Sequence, residues 1–141
     1  MKEIKLQKIR DGTVIDHVPA GKALEVLRIL GVGEGFADVV AVLMNVESGA
    51  MGRKDVIKVE NKALSKVETD RIALVAPTAT INIIKNFGVV KKARVELPEE
   101  IVGVIKCANP QCITNHEPVE ARFSVASNPP RLTCHYCERT Q

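Results

Sequence analysis

Hydrophobic and polar positions in residues 1–97 follow helical spacing in two stretches and strand spacing in five. Residues 20–30 predict a helix between Pro19 and Gly31, and residues 65–76 predict a second helix that opens with a Ser-x-x-Glu capping sequence. The order β-α-β-β-α-β is typical of a ferredoxin-like α+β fold, in which two helices cover one face of an antiparallel sheet. The other face would stay available to a ligand or partner. The predicted strands are residues 13–15, 36–46, 54–60, 80–85 and 89–95.

The apolar run at residues 36–46 is rich in valine, which is typical of a strand buried on both faces. Its apolar side chains exceed what a domain of this size can cover. An unpaired surface of this kind would be an aggregation hazard, so the run also predicts a homodimer.

Composition changes near residue 97. All four cysteines lie after residue 106, and five of the seven prolines lie after residue 97. Residues 97–100 resemble a linker, which predicts a larger domain at residues 1–97 and a small one at residues 101–141. The small domain is too short to bury an adequate core, so it needs a covalent or metal staple.

The cysteine spacing supplies that staple. Four residues separate Cys107 from Cys112, two separate Cys134 from Cys137, and 21 lie between the two pairs. Two such knuckles predict one tetrahedral zinc ion per chain, in a closed structural site rather than a catalytic one. Two disulfides or four inert thiols are the alternatives, and His116 or His135 could replace one cysteine as a ligand. A formal charge of +3, from 20 basic and 17 acidic residues, and an aromatic content of 3% do not favour nucleic acid as a partner.

Catalysis finds little support in the chain. No Gly-rich phosphate loop and no nucleophile with a nearby base are evident. Two classes stay open as alternatives, a zinc-ribbon protein that binds nucleic acid and a stand-alone ferredoxin-like enzyme. The chain has neither a run of 18 apolar residues nor a secretory h-region, so we expect a cytoplasmic protein with no membrane contact.

Charged residues on the predicted strands suggest a ligand site. His17, Lys58 and Lys92 could hold a polyphosphate, and Asp16 could accept hydrogen bonds from ribose hydroxyls. Consecutive strand residues point to opposite faces. Asp16 and His17 can therefore share a ligand only if the first strand ends or bulges between them.

Several motifs together resemble the regulatory chains of aspartate carbamoyltransferase. The similarity extends from about Ile4 to Cys137, nearly the whole chain, and the motifs in this order are highly specific. They are GTVIDHVPA from Gly12, MGRKDVIKVEN from Met51, Ala76-Pro77 with ATIN from Ala79, and the four cysteines with NHEPV from Asn115.

The resemblance implies a non-catalytic chain in the allosteric regulation of pyrimidine biosynthesis. Its first domain would bind CTP, UTP or ATP, its zinc domain would contact the catalytic chain, and one regulatory dimer would bridge two catalytic trimers. Phe87 stands where some members carry tyrosine, a change that bears on nucleotide preference. The implied nucleotide contacts are Ile9 at the base, Asp16 and Lys58 at the ribose, His17 and Lys92 at the phosphates, Asn82 along the site, and the backbone near Val89.

Overall fold

The computed structural model describes residues 9–103, 105–126 and 131–141. The chain divides into two compact units, with the division between Val95 and Glu96. Neither helix of the described part is long and apolar enough to cross a bilayer. The first unit contains β1 (Gly12–Pro19), α1 (Ala23–Ile29), β2 (Val40–Ser48), β3 (Gly52–Glu60), α2 (Lys66–Val75), β4 (Thr80–Lys85) and β5 (Gly88–Arg94).

The five strands form one antiparallel sheet in the order β2-β3-β1-β4-β5. The first four strands have the ferredoxin-like arrangement, so the predicted fold class is confirmed. β5 extends the sheet by a hairpin from β4. Asn86 and Phe87 form its turn with φ values of 52° and 67°, a left-handed pair that suits the twist of two-residue hairpins.

Alternation along the central strands separates the two faces of the sheet. Ile15, Ile57 and Val59 are fully or almost fully buried, as are Val26 of α1 and Ile72 of α2. These side chains form the core between the sheet and the helices. The opposite face carries polar and half-buried side chains, in agreement with the expectation that the helices leave it open.

Local signals explain where the helices begin. The predicted capping box at α2 is confirmed, because the Ser65 hydroxyl accepts from the Glu68 N–H at 3.2 Å and the Glu68 carboxylate accepts from the Ser65 N–H at 3.0 Å. α1 begins at Ala23, three residues later than predicted, because Lys22 N–H bonds to the Pro19 carbonyl in a turn.

The prediction for the valine-rich run was wrong in both extent and burial. The strand lies at Val40–Ser48, and it forms an edge of the sheet with every residue half-buried or exposed. Val39 and Met44 are each 44% exposed. The hydrophobicity of a run does not tell how many strands pair with it. In this sheet β2 pairs with only one strand, β3.

Asp55 joins three parts of the first unit. Its side chain is fully buried on β3. One carboxylate oxygen accepts from the N–H groups of Gly21 and Ala23 at 2.9 and 3.0 Å, and the other accepts from Asn45 at 2.7 Å. α1 has no capping side chain of its own, so this carboxylate satisfies the N–H of its first residue, Ala23, together with the N–H of Gly21 in the preceding turn.

The second unit is a three-stranded antiparallel sheet of β6 (Glu100–Val102), β7 (Arg122–Ala126) and β8 (Arg131–Cys134), with a 3-10 turn at Ile113–Asn115. Its core contains Phe123, which is fully buried, and Ala121. The other buried members are Cys107, Cys112 and Cys134. Ile101 of β6 is buried as well, so cysteines supply half of the buried hydrophobic residues of this unit. Such a small core agrees with the expectation that this part needs a staple.

We expect Asp55→Asn to lower the free energy of unfolding of the chain by about 2–4 kcal/mol, because an amide can accept on only one side while backbone N–H groups approach both. Denaturant unfolding measures the loss. Amide exchange at Ala23 and Asn45 should accelerate with it.

Asp38→Asn is the matched control for this change. Asp38 is exposed and, among the residues that the structure describes, accepts only from the Asn61 amide at 3.1 Å, a bond that asparagine can keep. Its effect should stay within about 0.5 kcal/mol. Equal unfolding free energies for the two variants would contradict the role assigned to Asp55.

Candidate functional site

The four cysteine sulfurs converge on one point of the second unit. Each Sγ atom lies within 4.8 Å of the other three. The Cys107–Cys137 and Cys112–Cys134 sulfurs are 3.6 and 3.7 Å apart. Metal–sulfur bonds of about 2.3 Å in a tetrahedron require sulfur separations of about 3.8 Å. None of the four cysteines forms a disulfide. The free sulfurs and their separations therefore fit a tetrahedral metal ion.

Backbone and side-chain contacts shape the first knuckle. The Asn115 amide donates to the carbonyls of Cys107 and Asn109 at 3.0 and 2.7 Å. The Asn109 side chain accepts from the Gln111 N–H at 3.1 Å. These bonds fold the loop between Cys107 and Cys112 so that both sulfurs point to the same side.

Hydrogen-bond donors approach the sulfurs from outside the cluster. The Thr114 hydroxyl donates to Cys112 at 3.2 Å, and this contact lowers the pKa of that thiol. The Arg139 N–H, helped by the Asn109 side chain, lowers the pKa of Cys137 to about 6. Burial raises the pKa of Cys107 to about 11. A divalent cation bound at the cluster would favour the thiolate form of all four sulfurs together.

The two candidate histidines lie outside the sulfur cluster. The His116 ring contacts the Pro110 carbonyl at 2.8 Å. His135 is exposed and packs edge-on against Tyr136, with ring centroids 5.2 Å apart. The clustered ligand atoms come from cysteines alone, so histidine ligation is not supported.

A second cluster lies on the open face of the five-stranded sheet. Directly paired residues of antiparallel strands project from the same face. Lys58 pairs with Val14, Val14 with Asn82, and Asn82 with Lys92. This central row therefore brings three of the predicted site residues, from β3, β4 and β5, onto one surface.

An upper row lies two residues further along the strands, about 7 Å from the central row. It consists of Asp16, Thr80 and Arg94, which are paired across β1, β4 and β5. The rows carry three cations, Lys58, Lys92 and Arg94, that form no ion pair with any other described residue. The open face is therefore electropositive.

β1 bulges at Asp16 and His17. Its pairing with β3 shifts between Ile15 and Val18, and His17 has φ 56°. The His17 ring consequently reaches the Thr80 hydroxyl at 3.0 Å, on the same face as Asp16. The sequence analysis required β1 to end or bulge between Asp16 and His17 if both are to contact one ligand, and the bulge is present.

Asp16 is held in place by its neighbours. Its carboxylate accepts from the Lys54 ammonium at 2.9 Å and from the His17 N–H at 2.6 Å. Burial alone would raise the pKa of Asp16, but these hydrogen bonds and the charges of Lys54 and His17 bring it below its ordinary value. Asp16 is therefore ionised and positioned as a hydrogen-bond acceptor.

Ile9 and Val89 belong to the other end of the open face. Val89 pairs with Ile84, which pairs with Gly12, in a lower row. Ile9 is buried and precedes Arg10, whose carbonyl accepts from the Phe87 N–H at 2.9 Å. The Phe87 side chain is 60% exposed. Ile9, Ile84 and Val89 form an apolar end of the face. Glu60, the other partner of Gly12, lies beside it and adds one carboxylate to the lower row.

Three residues of the open face escaped the sequence analysis. Thr80 and Arg94 lie two positions before Asn82 and two after Lys92, so strand periodicity could have included them. Lys54 carried no local signal, because its contact with Asp16 depends on the pairing of β1 with β3. At the metal centre, Gln141 was missed for the same reason. Thr114 was also missed, although it lies only two residues from Cys112 and local spacing could have included it.

Comparison with known proteins identifies two family domains that together cover almost the whole chain. Residues 4–96 match the model of the aspartate carbamoyltransferase regulatory chain, allosteric domain. Residues 99–141 match the model of the aspartate carbamoyltransferase regulatory chain, metal binding domain.

Full-length relatives agree with the domain matches. Regulatory chains of aspartate carbamoyltransferase from Thermococcus sibiricus and Pyrococcus horikoshii are 57% and 56% identical to this chain, covering 99% of it and 93% of each relative. The corresponding chain of Korarchaeum cryptofilum is 52% identical over 96% of this chain and 88% of its own length. The protein therefore belongs to the family of aspartate carbamoyltransferase regulatory chains, which are non-catalytic subunits with an allosteric domain and a metal-binding domain.

Proposed function

We propose that the open face of the first unit binds a nucleoside triphosphate, CTP, UTP or ATP, and that the chain transmits this binding to catalytic chains of aspartate carbamoyltransferase. The observation that carries the proposal is the pair of cross-strand rows, which collect Lys58, Lys92 and Arg94 on one surface. None of these three cations forms an ion pair with another residue of the described ranges. Three uncompensated cations suit a polyphosphate. Through the catalytic chains, the protein would regulate pyrimidine biosynthesis.

The polarity of the face orients the nucleotide. Ile9 and the backbone near Val89 provide the apolar end, where the base would lie. The ionised carboxylate of Asp16 would accept from ribose hydroxyls, with Lys58 beside it. His17 and Lys92 would contact the phosphates, and Asn82 would line the site between them.

Phe87 bears on the choice of base. Its side chain is 60% exposed beside the apolar end, and its left-handed φ of 67° is unusual for a bulky residue. Its backbone N–H is already bonded to Arg10, so it cannot also serve the ligand. The ring and the carbonyl are therefore the groups that would contact the base.

The second unit would hold one Zn²⁺ ion per chain. Four clustered cysteines with sulfur separations near those of a tetrahedron match the ligand set that zinc favours in structural sites. Bound zinc would supply a closed cross-link rather than a reactive centre. Because thiolate ligands require reducing conditions, we place the protein in the cytoplasm.

The chain would act as a homodimer joined to catalytic chains. β2 is an edge strand with Met44 44% exposed and Glu47 as its single charged residue. The opposite edge, β5, exposes Val89 and Val90 but also carries three cations, Lys91, Lys92 and Arg94. Charged side chains on an edge strand disfavour its pairing with a strand of another chain, whereas an uncharged apolar edge favours such pairing. We therefore assign the dimer contact to the β2 side and contact with the catalytic chain to the metal unit.

Lys92→Ala should weaken CTP binding by about ten- to a hundredfold, because a charge-assisted hydrogen bond is worth about 1.5–3 kcal/mol. Calorimetry on the intact chain measures the dissociation constant. Lys91→Ala is the matched control, since Lys91 pairs with Ile83 and so projects from the other face of the same strand. Equal affinities of the two variants would reject this use of the open face.

Cys137→Ser should lose the metal and unfold the second unit, because structural zinc contributes about 10–16 kcal/mol of apparent binding energy in small peptides. Elemental analysis measures zinc per chain, and amide exchange in β7 reports the unfolding. His135→Ala should retain the metal because its ring lies outside the cluster. A folded, metal-free second unit in Cys137→Ser would contradict the prediction.

The same Cys137→Ser chain should fail to join catalytic trimers while still binding CTP. The metal unit forms its own core, so the first unit keeps its sheet when that core is lost. Sedimentation of mixtures measures assembly, and the wild-type regulatory chain alone should sediment at twice its 15.4 kDa mass.

Assembly without metal would overturn the role given to the metal unit. Loss of both assembly and CTP binding would show that the two units fold together. A monomer of the wild-type chain at micromolar concentration would reject the dimer.

A further inference from the structure

Gln141 reaches the metal centre from outside the cysteine knuckles. Its side-chain nitrogen donates to the Cys107 sulfur at 3.2 Å, and its side-chain oxygen accepts from the Ala108 N–H at 2.7 Å. One amide group therefore contacts both a ligand sulfur and the backbone of the residue that follows it.

The second contact determines the direction of the amide. Oxygen and nitrogen of a glutamine side chain are assigned from their hydrogen-bond partners. The Ala108 N–H is a donor and requires the oxygen opposite it. The amide nitrogen must then face Cys107, where its N–H groups point at the sulfur.

The backbone holds Gln141 in this place. Its N–H donates to the Leu132 carbonyl at 2.7 Å, and its carbonyl accepts from the Leu132 N–H at 3.3 Å. The preceding residue, Thr140, forms an antiparallel bridge with Thr133. Residues 140–141 thus extend the sheet along β8, which leads directly to Cys134.

We propose that Gln141 is a positioning residue of the metal centre, which keeps the metal in place by donating a hydrogen bond to the Cys107 thiolate. The inference rests on the proposed zinc centre. Four thiolates around one divalent ion leave a net charge of −2, and N–H donors toward sulfur offset that charge. Thr114 provides the corresponding donor for Cys112 at 3.2 Å. The Cys107–Cys137 and Cys112–Cys134 sulfur pairs therefore each contain one sulfur that accepts a hydrogen bond from one of these two donors.

Two substitutions separate the sulfur contact from the backbone contact. Gln141→Ala removes both. Gln141→Glu keeps an oxygen for the Ala108 N–H but places a carboxylate against the thiolate. If donation to sulfur matters, both variants should release zinc faster than wild type, by about 10- to 100-fold, the range typical of partners that orient metal ligands.

The experiment follows zinc release from the loaded full-length chain into excess chelator with a chromophoric indicator. Gln111→Ala is the control, because Gln111 is exposed and only its backbone N–H is bonded among the described contacts. Cobalt-loaded chains give a second readout. Loss of the N–H donor leaves the sulfur richer in electrons, so the thiolate-to-cobalt charge-transfer band should move to lower energy in both Gln141 variants and not in the control.

Each outcome has one meaning. Release from Gln141→Glu at the wild-type rate, with fast release from Gln141→Ala, would overturn the proposal in favour of a backbone clamp alone. Wild-type rates and band energies in both variants would overturn it as well. A wild-type chain that takes up no stoichiometric zinc would overturn the zinc centre and this inference together.

Discussion

The carboxylate of Asp55 is the interaction on which the first unit depends. A buried charge is tolerated only when hydrogen bonds replace the water it has lost. Here the N–H groups of Gly21, Ala23 and Asn45 replace it. They come from the turn before α1, from the first residue of α1 and from β2. One side chain on β3 therefore binds both the first N–H of the helix, which follows the Pro19–Lys22 turn, and the backbone of the edge strand.

The irregular pairing around Asp55 connects the core to the open face. β1 departs from regular pairing with β3 between Ile15 and Val18, and Val18 is the partner of Asp55. On the other side, β2 departs between Leu43 and Val46. The first irregularity turns Asp16 and His17 to the same face. Bulges that redirect side chains recur beside functional sites, and this one brings an acceptor and an imidazole next to the cationic rows.

The two units are stabilised by different means. The first has a sheet, two helices and a core of branched aliphatic side chains, which is enough apolar material for a domain of its size. The second has three short strands, and cysteines are three of the six hydrophobic residues that it buries. Its fold therefore depends on whether the four sulfurs are joined by a metal. The hydrogen bonds of Thr114, Asn115 and Gln141 around them supply contacts that a larger core would otherwise supply.

The sequence by itself determined the features that depend on local chemistry. The capping box at Ser65, the order of strands and helices, and the spacing of the four cysteines could all be predicted, because each needs only near neighbours or a fixed period. Tertiary structure decided the rest. The exposure of β2, the ion pair of Lys54 with Asp16 and the approach of Gln141 to Cys107 join residues 30 or more positions apart or depend on strand order. Strand pairing and the path of the backbone bring such residues together, and no local pattern records them.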